Sequence, residues 1–287
     1  MIIVSVSLAP SFLLTFREAL EAALIVVIVA SHLKKIGKQS LNKYLVEGVI
    51  AAIAASVVLG AVVLILYGGL AGVSAQVFEG LASLTAAAVL TYMIFWMTTH
   101  GATMKTELEQ KVEAAVSKKQ LFGIFTLSFV AVLREGLETV LFMSTLAVID
   151  AVGTFLGVLV ATVMVIFLAI MLMKGIHRLN IKRFFQVTSL ILVIFAAGLV
   201  GSGVHELIEA GENLDIRLGV LGESAFNINP PLNADGTYPP LHEKGIVGAI
   251  FATLVGYDGN PEWLRTIVYL GYWLILGTYI LWVYRKK

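Results

Sequence analysis

Residues 16–22, FREALEA, and residues 133–139, LREGLET, carry the same Arg-Glu-x-Leu-Glu pattern 117 residues apart, each inside a long apolar run. A charged side chain at the middle of a membrane helix costs about 2.5 to 3.5 kcal/mol, so three ionised ones cost roughly 8 to 10 kcal/mol per helix. Apolar neighbours return only about 0.3 to 0.6 kcal/mol each, so these charges need partners. At 3.6 residues per turn, Arg17, Glu18 and Glu21 fall within an arc of about 100° on one face, as do Arg134, Glu135 and Glu138. In the second copy Gly136 replaces Ala19 and leaves room for another helix beside the carboxylates.

The rest of the chain says what kind of molecule holds these two faces. Of 287 residues, 59% are hydrophobic and only 14% charged, with a mean hydropathy of +0.92. So few charges cannot cover a soluble globule of this size. Apolar windows lie at about residues 9–31, 46–68, 77–98, 121–148, 152–174, 184–208 and 264–284, which predicts seven membrane-spanning helices. The first window has no basic segment before it and runs on past Arg17, so it reads as a span rather than a cleaved leader. The absence of cysteine excludes disulfides, thiolate metal sites and cysteine nucleophiles. No basic run suggests nucleic acid.

Lysine and arginine set the orientation, because cytoplasmic connections are enriched in them. Fifteen of the 20 lie in the 1–2, 3–4 and 5–6 connections and at the C-terminus, as in Lys34, Lys35 and Lys38 or Arg285, Lys286 and Lys287. The N-terminus is therefore expected outside and the C-terminus inside. Helices 1–3 and 4–6 each hold an odd number of spans, so as repeats they would be inverted. The expected fold is an all-α polytopic membrane protein forming one transmembrane domain. Repeat 1 is residues 1–100, repeat 2 residues 121–210, an extracytoplasmic loop 211–263, and a seventh helix with a basic C-terminus 264–287. A pseudo-two-fold axis in the membrane plane would bring Glu18, Glu21, Glu135 and Glu138 together near the midplane, with Arg17 and Arg134 balancing their charge. Four carboxylates without thiols favour hard cations, and nearby imidazole widens the choice to ferrous iron. The plainer reading makes each arginine merely a counter-ion of its own helix, but one arginine neutralises one carboxylate and leaves a second unexplained, twice over.

At these residues the chain resembles the oxidase-dependent iron permease family, also called the iron/lead transporter family, whose hallmark is an RExLE motif in helices 1 and 4 of seven. The resemblance extends through Phe78-Glu79-Gly80, Trp96-Met97, the run from His205 to Gly211, and Gly256-Tyr257 through Pro261. It implies a multi-pass protein of the plasma or cytoplasmic membrane that imports iron, ferric or ferrous, as substrate, with the four motif glutamates as ligands. No permanently bound cofactor is expected, and an extracytoplasmic iron oxidase or iron-binding protein is the implied partner. Lead or another divalent metal fits the same motif. A membrane iron-dependent oxidoreductase fits less well, because the Glu-x-x-His pairs of di-iron bundles are missing: Glu, not His, stands three residues after Glu18 and Glu135. The expected activity is therefore transport, not catalysis.

Other polar groups fall near the outer ends of helices. His205, Glu206, Glu209 and Glu212 cluster on one side of helix 6, with Asp215 following, and Glu79 lies just inside helix 3. Together they read either as an external collection site for cations or as a solvated helix end. Glu47 reads as interfacial, and Met93 and Met97 as a packing stripe rather than soft ligands. Residues 245–255 are apolar but too short to span, which predicts an interfacial or re-entrant segment.

Overall fold

The computed structural model describes residues 7–100, 103–117, 121–173, 181–216, 218–233 and 235–285. Among the described residues its regular secondary structure is helical, apart from one isolated bridge between Ser224 and Glu262 in the otherwise irregular segments before α8 and α9. The helices are α1 (Leu8–Lys35), α2 (Asn42–Gly68), α3 (Val73–His100), α4 (Met104–Ser117), α5 (Leu121–Ile149), α6 (Ala151–Met173), α7 (Ile181–Asn213), α8 (Ile246–Val255) and α9 (Trp263–Arg285). Seven of them cover the seven predicted windows. Four segments, Gln39–Gly68, Val73–Met97, Ala151–Met173 and Thr188–Asn213, are long and apolar enough to cross a membrane by length and composition. At 28 and 29 residues α1 and α5 have the length as well, but each carries a motif's three charges. The molecule is an all-helical polytopic membrane protein.

One helix departs from the sequence reading, and another gives form to a segment that it expected. The basic 3–4 connection holds α4, an amphipathic helix whose Leu108 and Val112 are buried while Glu113 faces out. Its low hydropathy hid it from a search for spans. The apolar stretch after Gly245 is α8, packed on α7. It stops at Gly256, whose φ of +75° is the left-handed conformation open to glycine. A Cβ there would also lie 2.5 Å from the Gly198 Cα on α7.

The principal helix pairs are α1 with α6, α2 with α5, and α3 with α7. Small residues spaced four apart make the first two close. On α2, Gly48, Ala52 and Ser56 are buried in line, and on α6 the stripe is Gly157, Ala161 and Val165. Between apolar helices in lipid, burial gives no hydrophobic gain, so such stripes work by bringing backbones into contact. The two contacts match in detail. A Cβ on Gly48 would lie 2.2 Å from Ser128 Oγ and 2.6 Å from the Phe125 carbonyl. One on Gly157 would lie 2.0 Å from Ser11 Oγ and 2.6 Å from the Leu8 carbonyl. Ser11 and Leu8 precede Ser128 and Phe125 by 117 residues, the same interval as the motifs.

Register gives the relative directions. Gly48, Gly60 and Gly136 meet Ser128, Val140 and Ser56 respectively, so α2 and α5 run parallel. Ser7 meets Asp150 and Ser11 meets Gly153, so α1 and α6 run parallel too. Gly80 meets Leu207 and Gly203 meets Leu84, so α3 and α7 are antiparallel. The outer faces of α2 and α6 expose Val57, Ile65, Phe155 and Phe167, as lipid-facing surfaces do.

Substituting Gly48 or Gly157 by valine will force these helices apart and lower stability by about 1 to 3 kcal/mol. Alanine at Gly271, where a Cβ meets nothing within 4 Å, will leave it unchanged. Thermal unfolding in detergent measures both.

Candidate functional site

Both motifs sit at the centre of their helices. Arg17 to Glu21 are the tenth to fourteenth of 28 residues in α1, and Arg134 to Glu138 the fourteenth to eighteenth of 29 in α5. At 1.5 Å per residue the motifs lie roughly 14 Å or more from either end of their helices. Apolar clusters close the space on both sides. One holds Leu14, Leu90, Phe142, Leu146 and their neighbours; the other holds Ile25, Val29, Leu33, Leu108, Val112 and Ile124.

The two motif faces meet. Ligand oxygens of Glu18, Glu21 and Glu135 lie within 4.8 Å of one another. Their exposures are 0%, 1% and 5%. Among the described residues this is the only group of three or more carboxylates or imidazoles converging so closely. Arg17 Nη1 donates to Glu18 Oε1 at 2.6 Å and to the Met93 sulfur on α3 at 2.9 Å. Its Nη2 lies 2.7 Å from Glu21 Oε1, at ion-pair distance but without hydrogen-bond alignment. Glu18, Glu135 and Glu138 each keep one buried oxygen without a hydrogen bond, whereas the corresponding oxygen of Glu21, Oε1, is the one that faces Arg17. Burying an unpaired carboxylate oxygen is expensive, and the group of three has the spacing at which carboxylates could hold a metal ion.

The second copy is arranged differently. Arg134 Nε donates to Glu138 Oε1 at 3.2 Å and lies 4.0 Å from Glu135. Its guanidinium stacks 4.6 Å from the Trp96 ring centre, and its side chain is 38% exposed against 1% for Arg17. Glu138 therefore stays with its arginine, outside the group of three. Met93 and Met97 are buried with Leu20, Leu24 and Val165, as the packing reading expected.

The outer residues divide. Glu79 and Glu206 are half-buried and close enough to repel each other, and Glu79 accepts a 2.7 Å hydrogen bond from the Tyr67 hydroxyl. His205 turns to Glu262 at 2.7 Å, joining α7 to the start of α9. Glu209, Glu212 and Asp215 are exposed, and Glu212 and Asp215 line a surface cavity of about 320 Å³ with Glu223. The predicted cluster of His205, Glu206, Glu209 and Glu212 thus does not converge on a common point. Facing the outer loop, Arg265 binds Asp258. Burial alone would raise the Asp258 carboxyl, but the Arg265 guanidinium together with hydrogen bonding, including that from the Asn260 backbone N–H, holds it below the usual carboxylate range. Glu262, with burial again opposing, is held low by the hydrogen bond from His205.

The sequence model of the iron permease FTR1 family matches residues 8–282. The chain belongs to this family. An uncharacterised protein of Archaeoglobus fulgidus is 39% identical over 259 residues, covering 90% of this chain and 89% of its own length. The ferrous iron permease EfeU of Escherichia coli O6:K15:H31 is 34% identical over 244 residues, covering 83% and 85%. EfeU of Yersinia pestis is 32% identical over 264 residues, covering 91% and 89%. No solved structure matches the chain.

Within this iron permease family chain, sequence reasoning missed the α3 side chains that hold the arginines. Met93 had been assigned to packing and Trp96 entered only through the resemblance, yet each touches a motif guanidinium. A polarisable sulfur and an aromatic face among apolar residues are the signals that mark such positions beside a buried cation. It also missed Tyr67 and Glu262, whose partners are distant in sequence.

Replacing Arg17 by methionine strands two fully buried carboxylates and will destabilise the protein by about 3 to 5 kcal/mol. The same change at half-exposed Arg134 will cost distinctly less; denaturant unfolding compares the two. Because Asp258 and Glu262 are depressed on folding, their stabilisation is complete above the ordinary carboxylate range and is lost as pH falls through their lowered values. Hydrogen exchange across residues 246–262 will accelerate in that acidic window, and Asp258→Asn will flatten the response.

Proposed function

We propose that the chain imports iron across a cell membrane, holding the ion between Glu18, Glu21 and Glu135 in the middle of the bilayer. The observation that carries this is the convergence of three buried carboxylates from two separate motif helices, with one oxygen of Glu18 and one of Glu135 left unpaired. Glu138 exchanges between Arg134 and the ion. Arg17 and Arg134 hold the carboxylates when no ion is present. Four carboxylates and two guanidiniums leave two negative charges when all are ionised, which a divalent ion balances. A ferrous substrate fits this count, and it fits the names of the E. coli and Yersinia relatives.

The reading includes seven crossings with the N-terminus outside and the C-terminus inside. Helix register supports it. If every long helix but α4 crosses, α2 and α5 must run parallel, α1 and α6 must run parallel, and α3 and α7 must oppose each other, as they do. A crossing by α4 would reverse α5 against α2. The lysine-rich connections supply the sign. Residues 1–100 and 121–210 then form two inverted repeats, in keeping with the matched Gly48 and Gly157 contacts.

Inverted-repeat transporters commonly open a central site by rocking one repeat against the other. The most extensive pairings join a helix of one repeat to a helix of the other, so the repeats are interlocked. Access to the ion instead involves the lighter contact between α1 and α5, where the ion sits. The half-buried pair Glu79 and Glu206 is the outer waiting position on this reading, while exposed Glu209 and Glu212 contribute only to the surrounding negative potential.

Radio-iron uptake in cells carrying Glu18→Gln, Glu21→Gln or Glu135→Gln, each confirmed in the membrane, will fall by about tenfold or more, while Glu138→Gln retains a larger fraction. Undiminished uptake in all four variants would overturn the assignment. Competition by ferric, manganese and lead ions ranks the substrates.

A further inference from the structure

The lysine-rich end of the bundle holds metal-ligating groups that the central motifs do not use. His32 lies on the last turn of α1, with Lys34 and Lys35 beside it. Its side chain is only 4% exposed, and neither ring nitrogen makes a hydrogen bond. Leu108 and Val112 seat α4 against this end of α1. That seating brings Glu109 and Glu113, one turn apart on α4, to opposite edges of the imidazole. Nδ1 lies 3.8 Å from Glu109 Oε1, and Nε2 lies 3.2 Å from Glu113 Oε1. The imidazole is enclosed, whereas Glu109 and Glu113 are 31% and 61% exposed.

A neutral imidazole has one N–H and one lone pair. With the proton on Nδ1, that edge faces the Glu109 carboxylate at 3.8 Å, beyond direct hydrogen-bond reach, and the Nε2 lone pair faces the Glu113 carboxylate at 3.2 Å, which offers it no proton. Two acceptors facing each other is the arrangement a cation completes. Metal-binding histidines commonly direct their other N–H to a carboxylate, which fixes the tautomer and the ring plane. The spacing also fits: ligand bonds of about 2.1 Å at near right angles place two donor atoms about 3 Å apart.

The geometry points to a second cation site in which His32 Nε2 and the Glu113 carboxylate bind a divalent first-row transition ion, water fills the remaining positions, and the Glu109 carboxylate adds negative charge beside Nδ1. One imidazole and one carboxylate suit ions such as ferrous iron, manganese or zinc. Two protein ligands next to Lys34 and Lys35 make the site weak, as befits an ion in passage. His32 follows Glu21 by eleven residues, three helical turns that return to within about 20° of the same face some 16 Å further along. Ile25 and Val29 fill the interval. A role as the receiving position for ions leaving the centre rests on the transport reading; the binding itself does not.

The test uses the purified full-length chain and manganese(II). In a chain carrying Glu18→Gln, Glu21→Gln, Glu135→Gln and Glu138→Gln together, one manganese ion will remain bound, and electron spin-echo spectroscopy will show imidazole nitrogen coupled to it. Adding His32→Gln will abolish the nitrogen signal, and Glu113→Gln will weaken binding by about tenfold or more. Glu109→Gln will keep the nitrogen signal while weakening binding by about tenfold. Should the fourfold variant not fold, the wild type against His32→Gln alone will show the loss of the nitrogen-coupled ion. Absence of nitrogen coupling in both backgrounds, or its persistence in His32→Gln, overturns the site. Loss of the transport assignment would leave these spectra unchanged, so the two failures are distinguishable.

Discussion

Six charges at mid-helix, most of them buried, are the constraint from which the rest of the architecture follows. Three charges on one helix face cannot be left against lipid, and a single arginine leaves one glutamate of its own helix uncompensated. The energetically acceptable arrangement turns the faces of α1 and α5 toward each other and surrounds them with apolar clusters above and below. α2 and α6 are then left as the outer helices, with small residues inward and Val, Ile and Phe outward. The same enclosure that makes the charges costly makes the carboxylates selective for something that brings its own positive charge.

The two copies of the motif are alike in sequence and unlike in setting. Arg17 is sealed between its two glutamates and a methionine sulfur, while Arg134 is half open on the face of Trp96. Nothing in the five-residue pattern distinguishes them. The difference comes from α3, which crosses both motifs and offers each a different side chain. A nearly symmetrical frame thus holds an asymmetrical charge arrangement, and the less constrained arginine marks the side on which the ionic network is easiest to rearrange.

Much of this was legible in the chain itself. Seven apolar windows found seven helices, and the spacing of Arg17, Glu18 and Glu21 placed them on one face. Their duplication 117 residues later led to the expectation that the two faces meet. What could not be read was whatever depends on side chains distant in sequence. The pairing of His205 with Glu262 dispersed a cluster that looked compact on a helical wheel. The helix α4 escaped notice because an amphipathic surface helix lacks the apolar length used to find spans. The stripes Gly48-Ala52-Ser56 and Gly157-Ala161-Val165 were visible in principle, since spacing by four with small side chains is the signature of close helix contact.

The crossed pairing of helices also has a consequence for how the chain is made. α1 emerges and inserts long before its packing partner α6 and its ionic partner Glu135 exist. During that interval three charges must wait in the bilayer with only their own helix for company. The Arg17 guanidinium, reaching both Glu18 and Glu21 from a single turn, neutralises one of the two and shields the other. The tight triad of α1, so much more closed than its counterpart on α5, is then suited to the order of synthesis: the helix that waits longest carries its own provisional counter-ion. A chain halted before α5 would present the small-residue edge of α2 and the polar seam of α1 together to whatever membrane quality control surveys unfinished proteins.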